Sequence, residues 1–135
     1  MLYELYGTNI ANGYYRPHDQ REFAALHSLV PYVRNRVVDT LMAMKQKGYD
    51  PYCVEGKRSI TRQIKLMATG KSKLLHSKHL VGKAADIVDA ELFWNASEGF
   101  KLDLVSIAVM DGLASGYKWK RFGRMGDWAH VEWGK

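Results

Sequence analysis

The segment Ser77-Lys78-His79-Leu80-Val81-Gly82-Lys83-Ala84-Ala85-Asp86 puts a histidine and an aspartate seven residues apart, with a glycine between them. Seven is the wrong spacing for one face of a helix. It suits two ligands joined by a loop, and Gly82 lets the backbone turn tightly or run close to a metal. From Ala84 to Val88 the chain reads as a strand. Ala84, Asp86 and Val88 then point one way, and Ala85 and Ile87 the other. An aspartate on an otherwise apolar strand costs free energy unless it is paired or metal-bound. The two small alanines leave room beside it.

A second segment, Asp127-Trp128-Ala129-His130, adds another imidazole and another carboxylate. His79, Asp86 and His130 together form a set of three protein ligands that leaves a fourth zinc position open for water. That is the composition of a catalytic site and not of a structural one. Asp127 stands where a general base is needed. Strict strand alternation puts Trp128, His130 and Glu132 on one face and Asp127 opposite His130, which makes Glu132 a competing base. A turn or bulge after Gly126 would re-aim Asp127. His76 is an alternative to His79 only if its segment is helical. The residues point to a zinc hydrolase.

Composition narrows the alternatives. With 135 residues the chain reads as one domain, over 1–135, long enough to bury a core without staples. The single cysteine, Cys53, excludes both an internal disulfide and a Cys-rich zinc site, and reads as a small buried side chain. No run approaches the roughly 20 apolar residues needed to cross a bilayer. The N-terminal residues have neither a basic nor an apolar region of the secretory kind. Twenty Lys and Arg against fourteen Asp and Glu give +6, a balance that favours polyanions, whether nucleic acid, anionic lipid or acidic cell-envelope polymers. There is no Arg-rich run and no nucleic-acid-recognition signature.

The rest of the chain supplies a scaffold. Residues 1–20 read as loop and turn, with His18 exposed. Asp19 is placed to cap a helix starting near Arg21, on which His27 is packed or at the surface. Val33, Val37, Val38, Leu41 and Met44 make one apolar stripe. Pro31 divides this region into a short helix and a longer one from about Tyr32, stopping at Gly48. Residues 51–55 read as a strand, and Ser59 or Thr61 caps a helix through Thr69. Asp103 to Ala114 reads as a helix closed by Gly116. Tyr117–Phe122 and Trp128–Trp133 read as further strands. The order implies an α+β fold with a small, largely antiparallel sheet flanked by helices.

These residues resemble the signature of the LAS metallopeptidases, the superfamily of lysostaphin, the D-Ala-D-Ala peptidases and the hedgehog N-terminal domain. The pattern Ser-x-His-x-x-Gly-x-Ala-x-Asp is met by Ser77, His79, Gly82, Ala84 and Asp86. The later acid-x-x-His element is met by Asp127 and His130, and an upstream Arg-Ser followed by Gln by Arg58, Ser59 and Gln63. Within the group the chain is most similar to small, single-domain phage endolysins of the L-alanyl-D-glutamate peptidase type.

The resemblance implies one zinc per chain held by His79, Asp86 and His130, with Asp127 as general base and acid. It implies that Arg58 binds a substrate carboxylate or stabilises the oxyanion, and that Gln63 and Ser77 line the substrate cleft. The expected substrate is the peptidoglycan stem peptide, cut at the L-Ala–D-Glu bond. The expected setting is a monomer made in the host cytoplasm without a signal peptide, lacking a separate wall-binding domain and reaching the wall with a holin-type partner. A D-Ala-D-Ala carboxypeptidase or dipeptidase of the same fold, or a non-catalytic zinc-binding module, are the competing readings.

Overall fold

The computed structural model describes residues 15–71, 77–119 and 123–134. The first two helices of the described residues are α1 (Gln20–His27) and α2 (Pro31–Gln46). Asp19 caps α1 by accepting from the Glu22 amide, and Pro31 occupies the first turn of α2, where a missing N–H costs nothing. Strand β1 (Pro51–Glu55) follows, then α3 (Ile60–Ala68), capped by the Ser59 hydroxyl. A single 3-10 turn (Lys78–Val81) leads into β2 (Ala84–Asp89). Helix α4 (Glu98–Met110), β3 (Leu113–Gly116) and β4 (Asp127–Trp133) complete the fold.

Among the described residues four strands form one sheet in the order β1-β2-β4-β3, with every neighbouring pair antiparallel. The architecture is α+β, as expected. The apolar stripe of α2, with Val33, Val37, Val38, Leu41 and Met44 all buried, packs with Leu104, Ile107 and Ala108 of α4. Against them lie Ala85, Ile87, Ala129 and Val131 of the sheet. Alternation therefore sends Ala85 and Ile87 into the core and leaves Asp86 on the opposite face.

Two expectations at the C-terminal half are corrected. The fourth helix begins at Glu98 rather than Asp103, because the Ser97 hydroxyl accepts from the Phe100 amide and starts it earlier. It ends at Met110, and Gly112, in the left-handed region, turns the chain into β3. Residues 113–116 are thus strand and not helix. Tyr117 and Lys118 form a turn, and residues 120–122 lie outside the described residues, as does His76.

Trp128 also departs from simple alternation. It is buried in the core, its ring 6.1 Å from that of Phe100, although His130 faces the other side. The cause is an irregularity in the β3–β4 ladder: Ser115 pairs with Val131, but Gly116 pairs with Asp127. The extra residues in β4 rotate the strand between those two pairs.

His18 is at the surface, but its ring is held between Glu22 (2.7 Å) and Asp50 (2.6 Å). Glu22 is fully buried and also receives the Tyr15 hydroxyl (2.8 Å) and the Cys53 amide (2.6 Å), which fastens α1 onto β1. Cys53 is buried, and burial pushes its thiol up.

Candidate metal centre and cleft

Asp86 and His130 are direct cross-strand partners on β2 and β4, so register alone brings their side chains together. His79 arrives from the 3-10 turn. The Ser77 hydroxyl accepts from the His79 amide (3.2 Å), and Gly82, at φ 71°, closes the turn. A side chain at 82 would meet the Ser28 carbonyl at 2.9 Å, so the turn is pressed against the end of α1. The loop after β1 clamps His79 from the other side. The Arg58 amide donates to the His79 carbonyl (2.8 Å), and His79 Nδ1 lies 2.8 Å from the Gly56 carbonyl.

Nδ1–H bonding to Gly56 leaves His79 Nε2 as the free, basic nitrogen. On His130 the roles are reversed. Its Nε2 is 2.8 Å from Glu132 Oε1, leaving Nδ1 free. The two free nitrogens and Asp86 Oδ1 form a triangle with edges of 3.2, 3.5 and 3.6 Å. Ligands about 2.05 Å from a tetrahedral ion lie about 3.3 Å apart, so one zinc-sized cation fits this triangle. Among the described residues this is the group of three His, Cys, Asp or Glu whose ligand atoms converge. All three residues are buried.

The electrostatics agree with the geometry. Burial would raise the Asp86 carboxyl, but the His79 and His130 imidazoles hold it well below the usual carboxylate range. Burial would lower His130, but Asp86 and Glu132 hold it up at about 9. The His130 shift reports carboxylates that favour a positive charge beside it, and the Asp86 shift reports a carboxylate kept ionised by the imidazoles. Trp119 covers His130, with ring centroids 4.6 Å apart.

A cleft of about 570 Å³ opens beside this triangle, lined by Asp86, Asp127, Arg58, Glu55, Arg62 and Trp94, with Leu66, Gly70 and Lys71 at its α3 side. Asp127 thus shares a cleft with a candidate ligand. Burial, and then the neighbouring Asp86 charge, push its carboxyl up to about 6. Glu132 is engaged elsewhere, between His130 Nε2 and Lys78 Nζ (3.3 Å).

The other expected site residues are close by but placed differently. The Arg58 guanidinium is largely buried. Its Nε and Nη2 donate to Glu55 Oε1 (2.9 and 2.6 Å), Nη1 donates to Gln63 Oε1 (2.6 Å), and Nη2 lies 3.8 Å from Asp86 Oδ2. Gln63 is fully buried, so it holds Arg58 and does not line the cleft as expected. Ser77 caps the 3-10 turn that carries His79 and is likewise absent from the cleft wall. Sequence reasoning missed Glu55, Lys78, Arg62 and Trp94. For Glu55 a signal existed: it lies three residues before Arg58 and seven before Arg62, and both reach it.

No protein-family profile and no curated protein sequence matches the chain. Solved structures do. An L-Ala D-Glu endopeptidase of Serratia marcescens, ChiX, superposes with a TM-score of 0.67 at 20% identity, over 84% of this chain and 86% of that one. The fold of this chain matches that of VanY-like peptidases. The D,D-pentapeptidase VanY of a VanB-type vancomycin resistance cassette, solved with Zn(II), gives 0.59 at 17% identity over 77% and 71%. The L,D-carboxypeptidase DacB of Streptococcus pneumoniae gives 0.57 at 20% over 77% and 65%. On this VanY-like frame, the sheet face opposite α2 and α4 carries Asp86 and His130, and the 3-10 turn brings His79 to them.

A metal ligand whose second nitrogen is held by a carboxylate is fixed in tautomer and aim. Glu132→Ala should therefore weaken zinc binding about 10- to 100-fold, measured by competition against a chromophoric chelator. Glu132→Gln, which keeps an acceptor for the imidazole, should recover part of the loss. Wild-type affinity in both variants would show that the Glu132 contact does not orient His130.

Proposed function

We propose that this chain is a zinc-dependent peptidoglycan endopeptidase that hydrolyses the L-alanyl–D-glutamate bond of the stem peptide, acting as a phage endolysin. The observation that carries the reading is the His79–Asp86–His130 triangle opening into a cleft that also holds Asp127. Similarity of fold to a Serratia endopeptidase named for that bond supports the choice of substrate. Among the described residues no helix is long and apolar enough to cross a membrane, and release to the wall would fall to a holin-type partner.

His79 Nε2, His130 Nδ1 and Asp86 Oδ1 would hold the zinc. When bound, the ion supplies Lewis acidity and a water acidified toward a pKa of about 7. Asp127 takes a proton from the attacking water and delivers it to the leaving D-Glu amine. Its carboxyl, raised by burial, stays ionised at neutral pH yet is a stronger base than an exposed aspartate. Arg58 holds Asp86 from outside through Oδ2 and adds positive charge at the cleft wall.

The test is digestion of purified peptidoglycan with and without a zinc chelator, with mass spectrometry of the released fragments. Chelator-sensitive release of stem peptides beginning at D-Glu is expected. Loss of a terminal D-Ala alone would move the reading to a carboxypeptidase. No release, with one zinc bound per chain, would make the protein a binding module.

A further inference from the structure

A substrate carboxylate captured by arginine needs two parallel N–H groups free on one edge of the guanidinium. Arg58 does not offer such an edge. Its Nε and Nη2 are spent on Glu55 and its Nη1 on Gln63. Arg62 does. It lies one turn along α3, in the same cleft, with its side chain 56% exposed. Its only hydrogen bond from the guanidinium among the described residues is Nε to Glu55 Oε2, at 2.7 Å. Among the described residues nothing engages the Nη1 and Nη2 edge.

Glu55 sets the geometry of both arginines. One of its oxygens takes Arg58 and the other takes Arg62. Glu55 is also the register partner of Asp86 across β1 and β2. The free edge of Arg62 is therefore fastened, through two residues, to the strand that carries a candidate metal ligand. Leu66, four residues further along α3, continues the same wall as an apolar surface.

We propose that Arg62 is the specificity-determining residue of the cleft, and that it binds the free α-carboxylate of the residue on the leaving side of the scissile bond. This rests on the stem-peptide reading above. D-Glu joined through its amine and its γ-carboxyl keeps that α-carboxylate free. The matching carboxamide has the same shape but no charge, and it turns an N–H donor toward the guanidinium donors. The amide therefore loses the charge-assisted bidentate pair that the acid makes with the guanidinium.

The experiment compares two synthetic stem peptides, with a free α-carboxylate or an α-carboxamide at the D-Glu position, as substrates of the full, zinc-loaded chain. The wild type should favour the acid by about 10- to 100-fold in kcat/KM. Arg62→Gln should bring that ratio near one, and Arg62→Lys should keep part of it. Calorimetric binding of the acid product to the metal-free chain should weaken in Arg62→Gln. A ratio unchanged in Arg62→Gln, or erased instead by Lys71→Gln, overturns the assignment to Arg62. Equal cleavage of both peptides by the wild type overturns it as well. Cleavage of neither peptide by the wild type would overturn the stem-peptide reading, and the proposal with it.

Discussion

Asp127→Asn is expected to bind zinc with wild-type stoichiometry and to cleave stem peptides at least about a hundredfold more slowly. Asparagine keeps the size and the planar head of aspartate but cannot take a proton. Asp127 is not one of the three converging ligands, so metal content, read by atomic absorption, should not change. Glu132 cannot substitute for it. Burial would raise the Glu132 carboxyl, but the hydrogen bond with His130 and the contact with Lys78 hold it low and occupied. Near-wild-type turnover in the variant would remove Asp127 from the mechanism.

The same substitution should affect stability in the opposite direction. The Asp127 carboxyl rises from 3.8 to about 6 in the folded protein, chiefly by burial. An acid whose folded-state pKa is raised binds protons more tightly when folded. Its ionised form therefore opposes folding above about pH 6, and the penalty fades as pH falls toward 4. Metal-free Asp127→Asn should melt above the metal-free wild type at pH 8, with the difference closing near pH 4. A site that gives up stability for a usable base is the pattern expected of function.

Local signals carried much of this structure. The α2 stripe, Pro31 at a helix start and the Ser59 cap are each set by neighbours within one or two turns, and all appear as the residues predict. The convergence of His79, Asp86 and His130 was legible in the spacing of two short motifs and their resemblance to a known signature, since five histidines and fourteen acidic residues alone would not have selected them. What was not legible depended on register. Trp128 enters the core only because the β3–β4 ladder slips between Ser115 and Gly116, and no periodicity within β4 announces a slip in its partner. The fourth helix was misplaced because Asp103, an ordinary surface-helix acid, was taken as its start when Ser97 already capped it. The partners of the Arg58 guanidinium were not legible for a related reason. Which edge of a guanidinium remains free is decided by Glu55 and Gln63, on a strand and a helix that sequence order does not pair.

Gly126→Ala should be among the most damaging single-methyl additions in the chain. Gly126 sits at φ 59°, in the left-handed region. A Cβ there would lie 2.1 Å from the Tyr117 carbonyl oxygen and 2.8 Å from that of Gly116. Both neighbours are backbone, so neither can swing aside as a side chain would. Relief requires the Gly116–Tyr117 turn and the start of β4 to separate, and Asp127 is the next residue. The expected cost is at least about 3 kcal/mol, or roughly 10 °C in Tm. A base displaced by about 1 Å loses about a hundredfold in rate. Gly48→Ala is the matched control. Gly48 also has a positive φ, 94°, but an added Cβ meets nothing within 4 Å. It should pay backbone strain alone, about 1 kcal/mol, and keep its activity. Thermal melts and peptide cleavage on the two variants separate clash from strain. Equal, small effects in both would mean that the β3–β4 turn yields readily, and that the aim of Asp127 does not depend on the close approach of Gly126 to Tyr117.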